Sequence, residues 1–216
     1  MARLSFVPLM AAAKPVSELP EGDEWEYEAK LDGYRGLLLR DERGVHILSR
    51  NDNDLTRNYP PIVQAATRMP MHRVALDGEI VALDKNGRPD FQALQHSSRA
   101  HLIVFDAFDV LHLNGRDMHK QTLEKRRSKL SDVVGDSGIR VSVELPGTAA
   151  NVIASVQALG LEGVVAKLRT SPYDPALEDA WVKVRFDRHQ EFVVGGYQGD
   201  RTRPDKAARD VHREEI

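Results

Sequence analysis

Trp25-Glu26-Tyr27-Glu28-Ala29-Lys30-Leu31-Asp32-Gly33-Tyr34-Arg35 is the stretch on which the reading of this chain turns. Residues 25–30 alternate. Trp25, Tyr27 and Ala29 fall on one side and Glu26, Glu28 and Lys30 on the other, the period-two pattern of a strand with one packed and one polar face. Lys30 then leads into Leu31-Asp32-Gly33-Tyr34-Arg35. A lysine ammonium, with a free pKa of about 10.4, is a poor nucleophile near neutral pH. Desolvation or neighbouring cations make the neutral amine available. Asp32 can hold that amine or help organise a metal-bound nucleotide. Gly33 admits a close backbone or phosphate, and Arg35 offers a planar fork to phosphate or sugar. Alone, the same residues also describe a surface turn after a strand.

Working outward, 36–40 and 45–50 read as apolar strands joined at Asp41-Glu42-Arg43-Gly44, a hairpin signal. Pro60-Pro61 opens a helix through Met69. Residues 74–83 form a strand interrupted at Asp77-Gly78, and 91–97 a short helix. Residues 102–111 form one long strand or a strand pair before the turn dipeptide Asn114-Gly115. Residues 122–134 and 149–159 read as helices, and 139–145, 164–168, 181–186 and 191–197 as strands. Strand pairs interspersed with helices predict an α+β fold with antiparallel sheets rather than a doubly wound parallel one. No Gly-x-Gly-x-x-Gly or Gly-x-x-x-x-Gly-Lys-Ser/Thr occurs, so nothing points to a Rossmann or P-loop nucleotide site.

The composition of the 216 residues, 41% hydrophobic and 29% charged, is that of a globular domain with a real core. The absence of cysteine excludes disulfides and cysteine-based zinc sites and suits a reducing cytosol. Apolar runs are far shorter than a membrane span, so the expected location is cytoplasmic. The net charge of −3 argues against a generic nucleic-acid coat but leaves room for a local basic face. Residues 116–129 offer one, with Arg116, Lys120, Lys125, Arg126, Arg127 and Lys129 against Asp117 and Glu124; a solvated helix face is the other reading. The eight histidines show no His-x-x-x-His pair.

Further polar residues sit at strand ends or between apolar strand neighbours, where charges are costly unless paired or used. They are Ser49-Arg50-Asn51, Asp77-Gly78-Glu79, Phe105-Asp106, Glu162 and Lys167 around Gly163-Val164-Val165-Ala166, and Lys183 and Arg185 within Trp181-Val182-Lys183-Val184-Arg185. Each has a plain structural reading. Glu79 suits a buried paired carboxylate, Phe105 a core ring, and Lys183 with Arg185 an edge-strand face. Together, a lysine, several cations and three carboxylates on strand faces describe a pocket for a metal–triphosphate.

In this order the motifs resemble those of covalent nucleotidyltransferases, most closely the adenylation domains of ATP-dependent DNA ligases of the bacterial ligase D and ligase C type. The resemblance covers roughly residues 5–197. It implies a nucleotidyltransferase (ATP-grasp-like) fold: two antiparallel sheets flanked by helices over residues 1–190. Residues 191–216 would be the start or remnant of an OB-fold domain, or a charged tail. The resemblance also implies roles. Lys30 would become lysyl-AMP, assisted by Lys183 and Arg185 at the α-phosphate, which would also lower the pKa of Lys30. Glu28 would accept from the adenine amino group and Phe105 stack on the base. Leu31, Arg35, Arg50, Glu79, Lys167 and Lys183 would complete the ATP site, with Arg50 at a 5′-phosphate. Glu162 and Asp32 would serve Mg2+ or Mn2+.

The implied partner is nicked double-stranded DNA, with end-joining or repair proteins beside it and no membrane. The family motif usually ends in a second lysine where this chain has Arg185. Two other readings stay open: an RNA ligase or capping-type nucleotidyltransferase, and a catalytically silent ligase-derived nucleotide- or DNA-binding module.

Overall fold

The structure, a computed structural model, describes residues 4–95 and 101–186. In chain order these form β1 (Lys14–Pro15), β2 (Trp25–Ala29), β3 (Tyr34–Asp41), β4 (Gly44–Ser49), α1 (Pro60–Thr67), β5 (Val74–Leu83), α2 (Phe91–Gln95) and β6 (Leu102–Leu113). There follow β7 (Arg116–Asp117), α3 (Leu123–Arg127), α4 (Leu130–Val134), β8 (Arg140–Val141), α5 (Ala149–Ala158), β9 (Gly163–Leu168) and β10 (Trp181–Arg185).

Two sheets organise the described residues. One has the order β1-β10-β9-β2; the other runs β4-β3-β5-β6-β7, with β8 paired to β6. Pairing is antiparallel except for two short parallel contacts, β1 with β10 and β6 with β8. The α+β architecture is therefore as the sequence pattern predicts.

Apolar clusters hold the layers. Leu38, Ile47, Leu76 and Phe105 on one face of the larger sheet pack against Ile62 and Ala66 of α1 and Leu130 and Val133 of α4. The opposite face, with Leu37, Leu39, Ala75 and Leu111, meets Leu9, Met10, Tyr173 and Trp181 between the sheets. On the outer face of the smaller sheet, Tyr27, Val164, Ala166 and Val182 receive Val152 and Val156 of α5. Thr122 and Thr148 cap α3 and α5 by accepting from the backbone N–H three residues on.

Several expectations are corrected. β5 runs unbroken through Asp77-Gly78, because the irregularity sits on its partner β6, which is one long strand bulged against Asp77-Gly78. The helix expected over 122–134 is two, broken at Ser128-Lys129, and of 139–145 only Arg140–Val141 is strand. Glu26 and Glu28, read as an open polar face, are only 2% and 3% exposed, because cations from elsewhere cover them. The strand expected over 191–197, the end of the helix expected over 91–97, and the OB-fold remnant or tail lie outside the described residues.

Candidate active site

The register of the smaller sheet assembles the surroundings of Lys30. β9 lies between β2 and β10, placing Ala29 opposite Val164 and Arg185 opposite Gly163. The Lys30 backbone N–H donates to the Gly163 carbonyl at 2.8 Å, so Lys30 and Arg185 flank Glu162. Lys30 Nζ donates to Glu162 Oε2 at 2.5 Å, and Arg185 pairs with Glu162 Oε1. Gly163 permits this: a β-carbon there would lie 2.2 Å from the Val184 carbonyl oxygen. Gly33 likewise lets the Lys30 turn lie on β5, since a β-carbon would meet the Ile80 carbonyl oxygen at 2.3 Å.

Beside Lys30 opens a cavity of about 290 Å3 between the sheets. Lys30, Leu31, Arg50 and Lys183 line it with Glu28, Arg35, Glu79 and Lys167, while Ala12 and Ala13 come from the N-terminal segment and Ser142 from the stretch after β8. Its aromatic wall is Phe108 and Trp181, packed edge to face with centroids 5.7 Å apart. Lys167 Nζ lies 4.1 Å from the Phe108 ring centre and 4.5 Å from that of Trp181. Arg35 stands over the same two rings. Flat apolar faces beside fixed cations suit a base joined to phosphates.

Buried ion pairs fix these groups. Arg35 forks onto Asp77 at 3.0 and 2.7 Å and donates to the Met10 carbonyl at 2.8 Å; Tyr173 Oη donates to Asp77 at 2.7 Å. Glu28 accepts from Lys167 at 2.7 Å, Arg127 at 2.6 Å and Ser142 Oγ at 2.8 Å. Burial opposes ionisation of Glu28, but Lys167 and Arg127 outweigh it and hold the carboxyl below its usual range. Burial pushes the Lys167 ammonium down. It pushes the Glu79 carboxyl up to about 8 against the pull of Arg35 and Lys30. Lys183 lies below its ordinary value, through burial first and then through Lys30 and Arg185. The cation cluster is thus felt at Lys183.

The cavity brings together Glu28, Lys30, Leu31, Arg35, Arg50, Glu79, Lys167 and Lys183 from the sequence reading. Glu162 and Arg185 join through Lys30, and Asp32 does not line the wall. Phe105 is a correction. It is fully buried in the cluster against α1 and α4, and the cavity ring is Phe108. The cause is the bulge: Gly78 pairs with Ala107 and Asp77 with Asp109, leaving Phe108 as the extra residue.

The basic stretch 116–129 is corrected in part as well, because Arg126 is fully buried on Asp109 and Arg127 is mostly buried on Glu26 and Glu28. Phe108, Trp181, Ser142 and Arg127 escaped the sequence reading; a second Phe-Asp pair, Phe108-Asp109, was the available signal for the first. Among the described residues, no group of three or more His, Cys, Asp or Glu side chains is placed to hold a metal. No helix among them is long and apolar enough to cross a membrane.

Known proteins carry the same pattern. A multifunctional non-homologous end joining protein LigD from Pseudomonas aeruginosa is 40% identical over 187 residues, 83% of this chain and 22% of that protein. DNA ligase C of Mycobacterium tuberculosis is 32% identical over 205 residues, 86% of this chain and 56% of that protein. A solved structure described as mycobacterial DNA ligase D complexed with ATP and MES superposes with a TM-score of 0.74 at 35% identity, covering 88% of this chain and 64% of that one. The chain therefore matches only part of each relative's length. A family model described as ATP dependent DNA ligase domain matches residues 8–185, and on that match, with the fold and cavity above, the chain belongs to the ATP-dependent DNA ligase domain family.

Proposed function

We propose that this domain takes AMP from ATP onto Lys30 and passes it to the 5′-phosphate of nicked double-stranded DNA. The observation that carries this reading is the placement of the Lys30 amine at the rim of a cavity walled by two aromatic rings and by Arg35, Arg50, Lys167 and Lys183. In the first step Lys30 Nζ bonds to the α-phosphorus, the bond to the pyrophosphate oxygen breaks, and the amine loses a proton. In the second, an oxygen of the DNA 5′-phosphate attacks the same phosphorus and the P–N bond breaks. The 3′-OH of the nick then displaces AMP. Each step depends on positioning and on charge set where the phosphate charge develops.

Phe108 and Trp181, set edge to face, offer the base an aromatic wall, and Lys183 and Arg50 face the phosphates. Glu28 has three of its roughly four acceptor sites filled, leaving one for the adenine amino group. Mg2+ commonly takes one or two carboxylates and substrate phosphates for the rest. Glu162, beside the reacting amine, fits that need once Lys30 and Arg185 release it, and Asp32 is the second candidate. The ion would supply charge neutralisation on the phosphates.

The naming of the mycobacterial ligase D complex with ATP supports ATP as the nucleotide. The end-joining names of the LigD relatives support the joining of DNA ends as the setting. Incubation with α-labelled ATP and Mg2+ tests the first step. Acid-labile label on wild type and none on Lys30→Ala is the expected result; an unlabelled wild type contradicts it.

A further inference from the structure

The basic stretch of α3 contains an arginine that never reaches the cavity yet holds much of its floor. Arg127 pairs through Nε with Glu26 and donates through one terminal nitrogen to Glu28 Oε1 at 2.6 Å and the Phe108 carbonyl at 3.0 Å. The other terminal nitrogen donates to the Ser142 carbonyl at 2.8 Å. Glu28, Phe108 and Ser142 all line the cavity; Arg127 does not. These contacts cross from β2 in the smaller sheet to the bulge of β6 in the larger one. Arg127 is mostly buried, with a side chain 10% exposed. A guanidinium has five N–H donors in a rigid fork; here three groups accept from it and Glu26 pairs with it by charge, the four lying on three separate segments. A lysine, with one nitrogen and a flexible stem, cannot reproduce that geometry.

We infer that Arg127 is a positioning residue for base recognition: it sets the Phe108 ring, the Glu28 carboxylate and Ser142 in one frame. The inference rests on the nucleotide reading of the cavity. It separates the floor that reads the base from the Lys30–Glu162 end where bonds change. Losing the fork should therefore weaken nucleotide binding and blur base choice while sparing the chemical step at saturation.

The test is Arg127→Lys beside wild type. ATP binding is followed without metal by the fluorescence of Trp181, with the Trp25→Phe background removing the other tryptophan. Lysyl-nucleotide formation is followed with ATP and with inosine triphosphate, which lacks the amino group. The expected result is ATP affinity weakened about tenfold, as for lost hydrogen bonds to a charged group. The preference for ATP over inosine triphosphate should shrink, and the rate at saturating ATP should stay within about threefold of wild type.

Unchanged affinity and base preference would overturn the inference, as would a rate loss with affinity intact. If Arg127→Lys does not fold, Glu26→Gln at pH 8 carries the test, because Glu26 anchors the fork without lining the cavity. Weaker ATP binding supports the inference, and wild-type binding overturns it. A wild type that neither binds nor takes nucleotide would instead sink the nucleotide reading itself.

Discussion

Lys30 and Glu162, 132 positions apart in the chain, meet at 2.5 Å. Arg185 holds the same carboxylate from the opposite side. Glu162 thus bridges the Lys30 amine and a cation of β10, and the proposed nucleophile is engaged in the structure. Nucleotide entry has to redistribute these charges. The cavity supplies the replacements: on the proposed reading, Lys183 and Arg50 at the phosphate end, with Phe108 and Trp181 walling the base end.

The two nearby phenylalanines should respond differently. Phe108→Ala removes a cavity wall and should weaken ATP binding by about 1–3 kcal/mol, the usual worth of a base–aromatic stack. Phe105→Ala opens a hole in the main core and should cost about 3–5 kcal/mol of folding stability. Denaturant titration beside an ATP-binding isotherm checks both. Equal ATP affinity in Phe108→Ala and wild type would remove the ring from the site.

Lys183 should matter to rate more than to folding. It lines the cavity next to Lys30, and burial, with Lys30 and Arg185 beside it, lowers its ammonium pKa from the ordinary value. Removing one preorganised donor aimed at developing charge typically costs about 10²–10³ in rate. Lys183→Ala should lower self-adenylation at saturating ATP by that order while leaving the denaturation midpoint near wild type. A rapid-quench time course measures the rate.

Arg126 and Asp109 form a fully buried fork, with contacts of 2.7 and 2.9 Å. Arg126→Met leaves Asp109 uncompensated and should cost about 3–5 kcal/mol. The double variant with Asp109→Leu should recover much of that loss, since paired apolar replacements are often neutral. Urea unfolding of the single and double variants checks this. Additive losses would show that the pair does not act as a unit.

Glu79 makes stability depend on pH with a defined sign. Burial holds its folded pKa near 8, against an unfolded value near 4.5. Between these values the unfolded chain is ionised and the folded chain keeps the proton. The stabilisation is complete below pH 4.5 and is lost as pH rises toward 8, at up to about 1.4 kcal/mol per pH unit. Glu26, raised to about 7 by burial, adds to the same slope. Glu79→Gln should flatten the fall in unfolding free energy between pH 5 and 8. A variant with the wild-type slope would show that Glu79 titrates normally.

Much of the site was legible because strand alternation and short motifs are local. Residues 25–30 read as a strand from their period, and Lys30, Glu162 and Lys183 stood out as charges beside apolar strand neighbours. What escaped depended on non-local geometry. Phe105-Asp106 and Phe108-Asp109 are equivalent by local pattern, and only the bulge opposite Asp77-Gly78 turns Phe108 toward the cavity. Arg126 and Arg127 look like a solvated helix face until their partners, 17 and 99 positions away, are seen. Trp181 was read as the start of a strand, with nothing local to show that its ring walls the cavity.

The most direct measurement is the intact mass of the purified domain after incubation with ATP and Mg2+. The account predicts an added mass of one AMP on wild type, mapped to Lys30 by peptide fragmentation and absent from Lys30→Ala. An unmodified wild type, or AMP carried on a different side chain, would contradict it.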